Sequence, residues 1–290
     1  MPSQKTLRPT SQGAESVLGK VFPVLNHGYI VLRDYMGNDS EIANAARISY
    51  GKGTRKISED TGLIRYLLRH RHTTPFEMAE LKWECTMPIF VARQWIRHRT
   101  ANVNETSLRY SEPIMDFYIP NPEDIRLQSK TNRQGGNQRV SKKLAEKVIS
   151  ILNDNTQRAR ADYDSMNQEG IARELARMSL PINLYTKWVW KNDLHNTMHF
   201  LSLRLDPHAQ KEIRDYAEVM AQVVQKAFPI SWKAFEDYQL NSLSLSAPEI
   251  QCLQRILSGK SPEKVIPQVI KNKREQEEAR EKLIALGIGI

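Results

Sequence analysis

Residues 79–87 alternate strictly between apolar and polar side chains, and this pattern constrains the fold more than any other feature of the sequence. The apolar positions are Ala79, Leu81, Trp83, Cys85 and Met87. A two-residue period indicates a β-strand that turns one face towards a core. Pro88 follows directly, and proline suits the first turn of a helix. We therefore expect a helix that carries Arg93, Gln94 and Arg97.

The remaining apolar patterns predict two further strands and several helices. The strands are expected over 29–34 and 182–191. The helices are expected over 40–46 with Asp39 or Ser40 as cap, from Ser58 to about 72, over 141–166 and 171–178, over 194–205 with Asp193 as cap, and from Asp206 to about 227. Helices dominate this pattern, so the expected fold class is α+β, with a mixed sheet flanked by helices.

The 290 residues are sufficient for one large domain or two small ones. We expect a mobile arm over residues 1–20, a main domain over 21–245 and a helical C-terminal extension over 246–290 with two amphipathic stretches. Pro75 should stop any continuation of the preceding helix. The polar segment 122–140 should be a loop or a partly disordered insertion.

Composition restricts the location of the chain more than its activity. The longest apolar runs are too short to cross a bilayer, and the first residues lack the apolar core of a signal peptide. Two cysteines, Cys85 and Cys252, do not form a disulfide framework, so we expect a cytoplasmic protein without membrane association. The formal charge of +9 favours an anionic ligand, either phosphate groups or nucleic acid.

Basic residues concentrate in two blocks, and the second block carries the chemistry. In the segment 97–111, Arg97, His98 and Arg99 stand where a helix ends in a polar loop. Guanidinium groups bind phosphates and planar polar rings through fixed sets of donors. The loop adds further donors and an acceptor in Asn104, Glu105, Ser107 and Arg109. Such a segment is suited to binding a nucleotide.

The segment RHRTANVNETSLRYS resembles the signature of flavin-dependent thymidylate synthases, in which RHR is followed by seven residues and serine. Other segments resemble further blocks of that family in the same order: His72–Glu77, Pro88–Trp95, Arg173–Leu180, Asn183–Thr186, His199–Arg204 and His208–Ile213. The resemblance covers about residues 25–240. It has no counterpart in the first 20 residues or after about residue 245.

The resemblance implies a role for each matched position. The residues implied to hold FAD are His72, Thr74, Arg97, His98, Arg99, Glu105, Asp193, His195 and His199. Those implied to surround dUMP are Gln94, Arg97, Glu105, Thr106, Ser107, Leu108, Arg109, Arg177 and Arg204. The family also implies a homotetramer in which several subunits build each site.

The implied reaction is the reductive methylation of dUMP to dTMP. Methylenetetrahydrofolate would donate the carbon, and FAD reduced by NADPH would supply the hydride. Arg204 would lie against the uracil ring and stabilise the negative charge that makes carbon 5 nucleophilic. The resemblance makes Ser107 a substrate-positioning donor, and the sequence shows no G-x-S-x-G elbow for an activated serine.

Two positions depart from the family pattern. Asp193 stands where asparagine is expected, and His195 stands where arginine is common. Because a carboxylate repels phosphate, we interpret Asp193 as the cap of the following helix, with its backbone facing the flavin.

Two other functions remain open from the residues. The first is a nucleic-acid-binding protein that uses its basic surface, although no nucleic-acid module is evident. The second is a metal-dependent hydrolase that uses His72, His98, His195 or His199. His195 and His199 have the spacing of a zinc pair, but Asn196 replaces the glutamate of H-E-x-x-H, so we expect no metal. Trp188 and Trp190 alternate along a strand and are interpreted as core residues.

Overall fold

Residues 8–235 contain a five-stranded sheet. All of its described strand pairings are antiparallel. The computed structural model describes residues 8–48, 57–128 and 136–289. Its strands are β1 (Val21–Val24), β2 (Gly28–Met36), β3 (Glu80–Pro88), β4 (Asn102–Glu105), β5 (Arg126–Gln128), β6 (Gly136–Arg139) and β7 (Tyr185–Asp193). The five strands of the main sheet lie in the order β1-β2-β3-β7-β4, and β5 pairs separately with β6.

Helices make up most of the remaining regular structure in residues 8–235. They are α1 (Gln12–Glu15), α2 (Asp39–Arg47), α3 (Ile57–Arg69), α4 (Thr74–Glu77), α5 (Ile89–Trp95), α6 (Lys142–Gln168), α7 (Arg173–Ala176), α8 (Leu194–Arg204), α9 (Lys211–Ala227) and α10 (Pro229–Phe235). The α+β class is confirmed, although the sheet is antiparallel where a mixed sheet was expected. None of the described helices is both long and apolar enough to span a bilayer.

The strand predicted from the alternation over 79–87 lies at the centre of the sheet as β3. It pairs with β2 on one side and with β7 on the other. Trp83 lies opposite Trp190 in the β3–β7 register, and both side chains are buried. The apolar positions of the alternation are all buried. The two-residue period therefore predicted correctly which face of the strand is buried. A slip of one residue in the pairing would turn all five apolar side chains to the opposite face.

Helix α9 covers part of the sheet with the apolar stripe expected from the sequence. Tyr216 on this helix is fully buried, and its hydroxyl donates to the carbonyl of Thr86 in β3 at 2.7 Å. A Cβ atom at Gly28 in β2 would lie 1.9 Å from that hydroxyl oxygen. Glycine is therefore required at position 28 for the helix to approach the sheet this closely.

Several element boundaries differ from the sequence-based expectations. The N-cap of α2 is Asn38, whose side chain accepts from the Glu41 amide, and neither Asp39 nor Ser40 has this role. Pro75 lies in the first turn of α4, so it begins a short helix as well as preventing the extension of α3. Helix α9 begins at Lys211, later than the expected start at Asp206. Segment 122–140 contains the strands β5 and β6, while residues 129–135 lie outside the described residues.

The expected mobile arm over 1–20 is wrong for its second half. Residues 12–15 form α1, and Ala14 and Val17 are buried. The hydroxyl of Ser11 donates to the carbonyl of Ala227 at the end of α9, at 2.7 Å. These contacts fix the segment on the main domain. Residues 1–7 lie outside the described residues.

Residues 236–289 form a second compact unit with its own core. After a π-helical turn at Glu236–Leu240, three helices follow where two stretches were expected: α11 (Ala247–Leu257), α12 (Pro262–Val269) and α13 (Lys273–Ala285). Their buried side chains are Cys252, Val265, Ile266, Ile270, Ala279 and Leu283. Residues 236–290 contain eight basic and eight acidic side chains, so residues 1–235 carry the whole formal charge of +9.

A buried carboxylate joins two helices that are distant in sequence. Asp39 in α2 accepts from the backbone amides of Ile230 and Ser231, each at 2.9 Å, and from the Ser231 hydroxyl at 2.6 Å. Burial raises the pKa of Asp39 above its ordinary value, while these three donors act in the opposite direction. Asp39 therefore caps the first turn of α10 from outside that helix.

We predict that Asp39→Ala lowers the free energy of unfolding by about 1–3 kcal/mol, because the donors of α10 would be buried without an acceptor. Chemical denaturation followed by circular dichroism measures this change. Asp162→Ala is the matched control, since Asp162 is exposed on α6, and its effect should stay within about 0.5 kcal/mol. Equal effects of the two substitutions would contradict the capping role.

Candidate functional site

Aromatic packing holds the end of α5 against α8. The rings of Trp95 and Phe200 are stacked, with centroids 4.8 Å apart and planes inclined by 23°. Trp190 of β7 lies edge-on to Trp95 at 5.4 Å. All three side chains are buried. This packing places the residues that follow α5 beside the last turns of α8, which is where the basic segment emerges.

A cavity of about 470 Å³ opens between these two elements. Its lining residues are Arg97, His98, Arg99, Thr100, His199, Leu203 and Arg204. Five of the seven were predicted as cofactor or substrate residues, and they come from sequence segments about 100 residues apart. Thr100 and Leu203 were not predicted. Each is the sequence neighbour of a predicted residue, and only the fold shows that they face the cavity.

Arg204 is partly buried at the cavity and lacks a full set of partners. Its Nη2 donates to the backbone carbonyl of Gln94 at 3.5 Å, which is a long hydrogen bond. Its Nε is buried with no partner, and so is the side-chain oxygen Oε1 of Gln94. Burial lowers the pKa of Arg204 from its usual value. An anion or a polar ring beside Arg204 would supply the missing acceptor.

His98 is buried at the same cavity. Its Nε2 atom has no hydrogen-bond partner. Burial lowers the pKa of His98, and the neighbouring His199 and Arg204 lower it further, outweighing the opposite effects of Asp193 and the Asn196 backbone. The centroids of the His98 and His199 rings lie 5.4 Å apart. At neutral pH, His98 is thus a neutral imidazole that can accept or donate a hydrogen bond.

The unpartnered atoms provide a test of whether the site fits a flavin. Buried polar atoms without partners carry a free-energy cost unless a ligand or water satisfies them. The cavity combines the unpartnered Nε2 of His98 with the guanidinium groups of Arg97 and Arg99. An isoalloxazine ring offers planar acceptors and donors, and the rest of FAD offers phosphates. The donor set therefore fits this group.

Asp193 acts as the N-cap of α8, as interpreted from the sequence. Its Oδ1 accepts from the backbone amide of Asn196, and its Oδ2 accepts from the side-chain amide of the same residue, both at 2.8 Å. Both carboxylate oxygens are therefore engaged within the helix. His195 follows in the first turn, is half-buried and does not line the cavity.

Glu105 ends the edge strand β4, which pairs with β7. Its Oε1 accepts a hydrogen bond of 2.6 Å from the hydroxyl of Thr186 in β7. The next residue, Thr106, extends the pairing by donating its amide to the carbonyl of Lys187 at 2.8 Å. Sequence reasoning assigned no role to Thr186, because nothing local marks a contact between residues 81 positions apart.

The other predicted substrate residues do not line the cavity. The Ser107 hydroxyl oxygen accepts from both the backbone amide and the Nε of Arg109, each at 3.3 Å. Leu108 lies between them and is half-buried. Arg177 is in a short 3₁₀ helix after α7, where its Nε donates to the carbonyl of Glu174 at 3.3 Å. Within the described residues of a single chain, only part of the predicted site is therefore gathered around this cavity.

His72 lies in the connection between α3 and α4, and Thr74 is the first residue of α4; both are exposed. The ring of His72 is 5.8 Å from that of Tyr66 and 6.4 Å from that of His70. Neither His72 nor Thr74 lines the cavity of Arg97 and Arg204. Within residues 8–48, 57–128 and 136–289, no group of three His, Cys, Asp or Glu side chains is arranged to hold a metal ion.

The residues interpreted as structural are buried. Trp188 and Trp190 have 2% and 1% of their surface exposed, which confirms them as core residues. Cys85 and Cys252 are both buried and free. Burial raises the pKa of the Cys85 thiol, so it is a poor nucleophile.

The chain is similar to known proteins of one family. The sequence model of the family described as "Thymidylate synthase complementing protein" matches residues 31–230. A flavin-dependent thymidylate synthase of Ruegeria pomeroyi is 52% identical over 260 residues, covering 88% of this chain and 86% of that protein. One of Rickettsia prowazekii is 47% identical over 287 residues, covering 94% and 97%.

A solved structure is similar as well. The UMP/dUMP methylase PolB of Streptomyces cacaoi, bound with 5-Br dUMP, superposes with a TM-score of 0.68 at 31% identity. The match covers 76% of this chain and 99% of PolB. The family match spans most of residues 8–235, and the curated relatives extend over nearly the whole chain. The chain therefore belongs to the flavin-dependent thymidylate synthase family.

Proposed function

We propose that this protein methylates dUMP to dTMP, with methylenetetrahydrofolate as the carbon donor and FAD reduced by NADPH as the hydride source. The observation that carries the proposal is the pair of buried, unpartnered nitrogens on His98 and Arg204 in a cavity flanked by Arg97 and Arg99. The names of the relatives support the flavin, and dUMP is supported by the solved methylase structure with a bromo-dUMP ligand.

The flavin would be held mainly by the segment after α5, with His199 of α8 on the other side of the cavity. Arg97 and Arg99 would bind its phosphates or ring acceptors, and the Nε2 atom of His98 would meet a polar atom of the ring. When bound and reduced, the flavin supplies the hydride that completes the new methyl group. The remaining residues in this proposed set are His72, Thr74, Glu105, Asp193 through its backbone, His195 and His199.

The nucleotide would be bound by donors around its phosphate and its base. Arginines suit the phosphate, since a guanidinium presents two parallel N–H donors to its oxygens. The Ser107 hydroxyl would position the nucleotide, and its contacts within the described chain are with the backbone amide and the Nε of Arg109. The full proposed set is Gln94, Arg97, Glu105, Thr106, Ser107, Leu108, Arg109, Arg177 and Arg204.

Arg204 would activate the uracil ring electrostatically. Burial disfavours an isolated guanidinium charge, as the lowered pKa of Arg204 indicates. An anion that develops beside the group restores that stabilisation, so loss of the ring N–H proton becomes less costly. The electron density gained by the ring then increases the nucleophilicity of carbon 5.

More than one copy of the chain would be needed to complete this site. Ser107, Arg109 and Arg177 do not line the cavity of Arg97 and Arg204 in one described chain. A homotetramer in which a neighbouring subunit contributes these side chains accounts for their separation. The scarcity of cysteines and the role in nucleotide synthesis favour a cytoplasmic location.

We predict that the purified protein binds FAD and shows a flavin absorbance spectrum that NADPH with dUMP bleaches. Release of dTMP after addition of methylenetetrahydrofolate, measured by chromatography, completes the test. A colourless protein that retains zinc would indicate the hydrolase alternative. A colourless protein that binds nucleic acid with a strong salt dependence would indicate the nucleic-acid alternative.

We predict that Arg204→Ala lowers the turnover number for dTMP at least about 100-fold while FAD stays bound, because the charge that stabilises the anionic ring is lost. Steady-state kinetics with the flavin absorbance ratio as the control measures both effects. Arg158→Ala is a comparison variant, since Arg158 is exposed on α6. Near-normal turnover of Arg204→Ala would refute the activation role.

We predict that Ser107→Ala keeps measurable activity but raises the KM for dUMP roughly tenfold, as expected for the loss of one positioning hydrogen bond. Kinetics at varied dUMP concentration checks this outcome. Intact-protein mass spectrometry of the wild-type enzyme after turnover should show no pyrimidine adduct. A covalent adduct on Ser107 would contradict its assignment as a positioning donor.

A further inference from the structure

The carboxylate of Glu105 is fixed by a neighbouring strand although the residue lies at the edge of the sheet. All four residues of β4 are exposed, and Glu105 is the last of them. In the register of β4 and β7, Glu105 lies opposite Trp188, whose side chain is buried. Paired residues turn their side chains to the same face. The carboxylate therefore lies on the sheet face that packs against α5.

The side chain of Thr186 fixes the Glu105 carboxylate and makes no other polar contact among the described residues. Thr186 is 5% exposed and donates to Oε1 of Glu105 at 2.6 Å. This length is typical of a hydroxyl bound to an ionised carboxylate. Among the described residues, none makes a hydrogen bond or ion pair with Oε2 of Glu105. That oxygen remains able to accept from a ligand.

We propose that Thr186 is a positioning residue that orients Glu105, so that the carboxylate accepts an N–H or O–H donor of the bound nucleotide or flavin. This inference rests on the proposed function. A glutamate side chain on an edge strand would otherwise sample many rotamers, and binding a ligand would have to fix them. The Thr186 hydroxyl fixes them before the ligand arrives, and such preorganisation increases affinity.

Two valine substitutions can distinguish a positioning role of Thr186 from a purely structural one. Valine has nearly the shape of threonine and suits a buried strand position. Thr186→Val therefore removes the hydroxyl without leaving a cavity. Thr86 on the adjacent strand β3 provides a matched control, because it is 3% exposed and its hydroxyl is buried without a partner. Thr86→Val makes the same chemical change away from any carboxylate contact.

The experiment compares the wild-type protein with Thr186→Val, Thr186→Ser and Thr86→Val. FAD binding to the deflavinated protein is measured by fluorescence quenching, and dUMP binding to the flavin-loaded protein is measured by calorimetry. We expect Thr186→Val to raise at least one of the two dissociation constants roughly tenfold, the effect of losing a charge-assisted positioning contact. The arm that changes identifies which ligand Glu105 contacts.

Two further results are expected from the controls. Thr186→Ser keeps the hydroxyl and should restore binding to within about threefold of the wild-type values, while Thr86→Val should leave both dissociation constants unchanged. In a Glu105→Ala background, Thr186→Val should change either dissociation constant by less than about twofold, because the two residues act as one unit. Each threonine variant should still melt in a single cooperative transition, which shows that it is folded.

The outcomes separate the two proposals. A wild-type protein that binds neither FAD nor dUMP would overturn the proposed function. A wild type that binds both, together with Thr186→Val at unchanged affinities, would overturn the role of Thr186 alone. An equal loss in Thr186→Val and Thr86→Val, or a full additional loss in the Glu105→Ala background, would also overturn it, since both results point to general packing.

Discussion

The stacking of Trp95 on Phe200 is the contact on which the candidate site depends. It joins the end of α5 to the middle of α8, and Trp190 of β7 closes the cluster from the sheet. Aromatic pairs of this size bury a large apolar area and have defined geometry. The basic segment after Trp95 can therefore be held at a fixed distance from Arg204, even though it is polar and mostly exposed.

Much of the framework follows from local sequence patterns. The alternation over 79–87 identified the central strand and its buried face, and Asp193 was identified as the cap of α8. Both depend on short-range physics, namely the strand period and the competition of a side chain for helix amides. The five predicted residues of the cavity came from resemblance to a family, since periodicity alone could not show that Arg97 and Arg204 face each other.

The features that the sequence did not predict depend on contacts between residues that are distant in the chain. Asp39 was considered as a cap for its own helix, whereas it caps α10 across 191 residues. The segment around Ser11 was expected to be mobile, but it is bound to the end of α9. Thr186 gave no local signal of its contact with Glu105. Each of these depends on which side chains the completed fold brings together, and no propensity encodes that.

The electrical neutrality of residues 236–290 has a consequence for how ligands reach the enzyme. A unit without excess charge adds little to the long-range potential, so the positive field originates from residues 1–235 alone. Such a field accelerates the diffusional encounter with polyanions and weakens as ionic strength rises, because the Debye length is only about 8 Å in physiological salt. Residues 236–290 therefore add no net charge to this field.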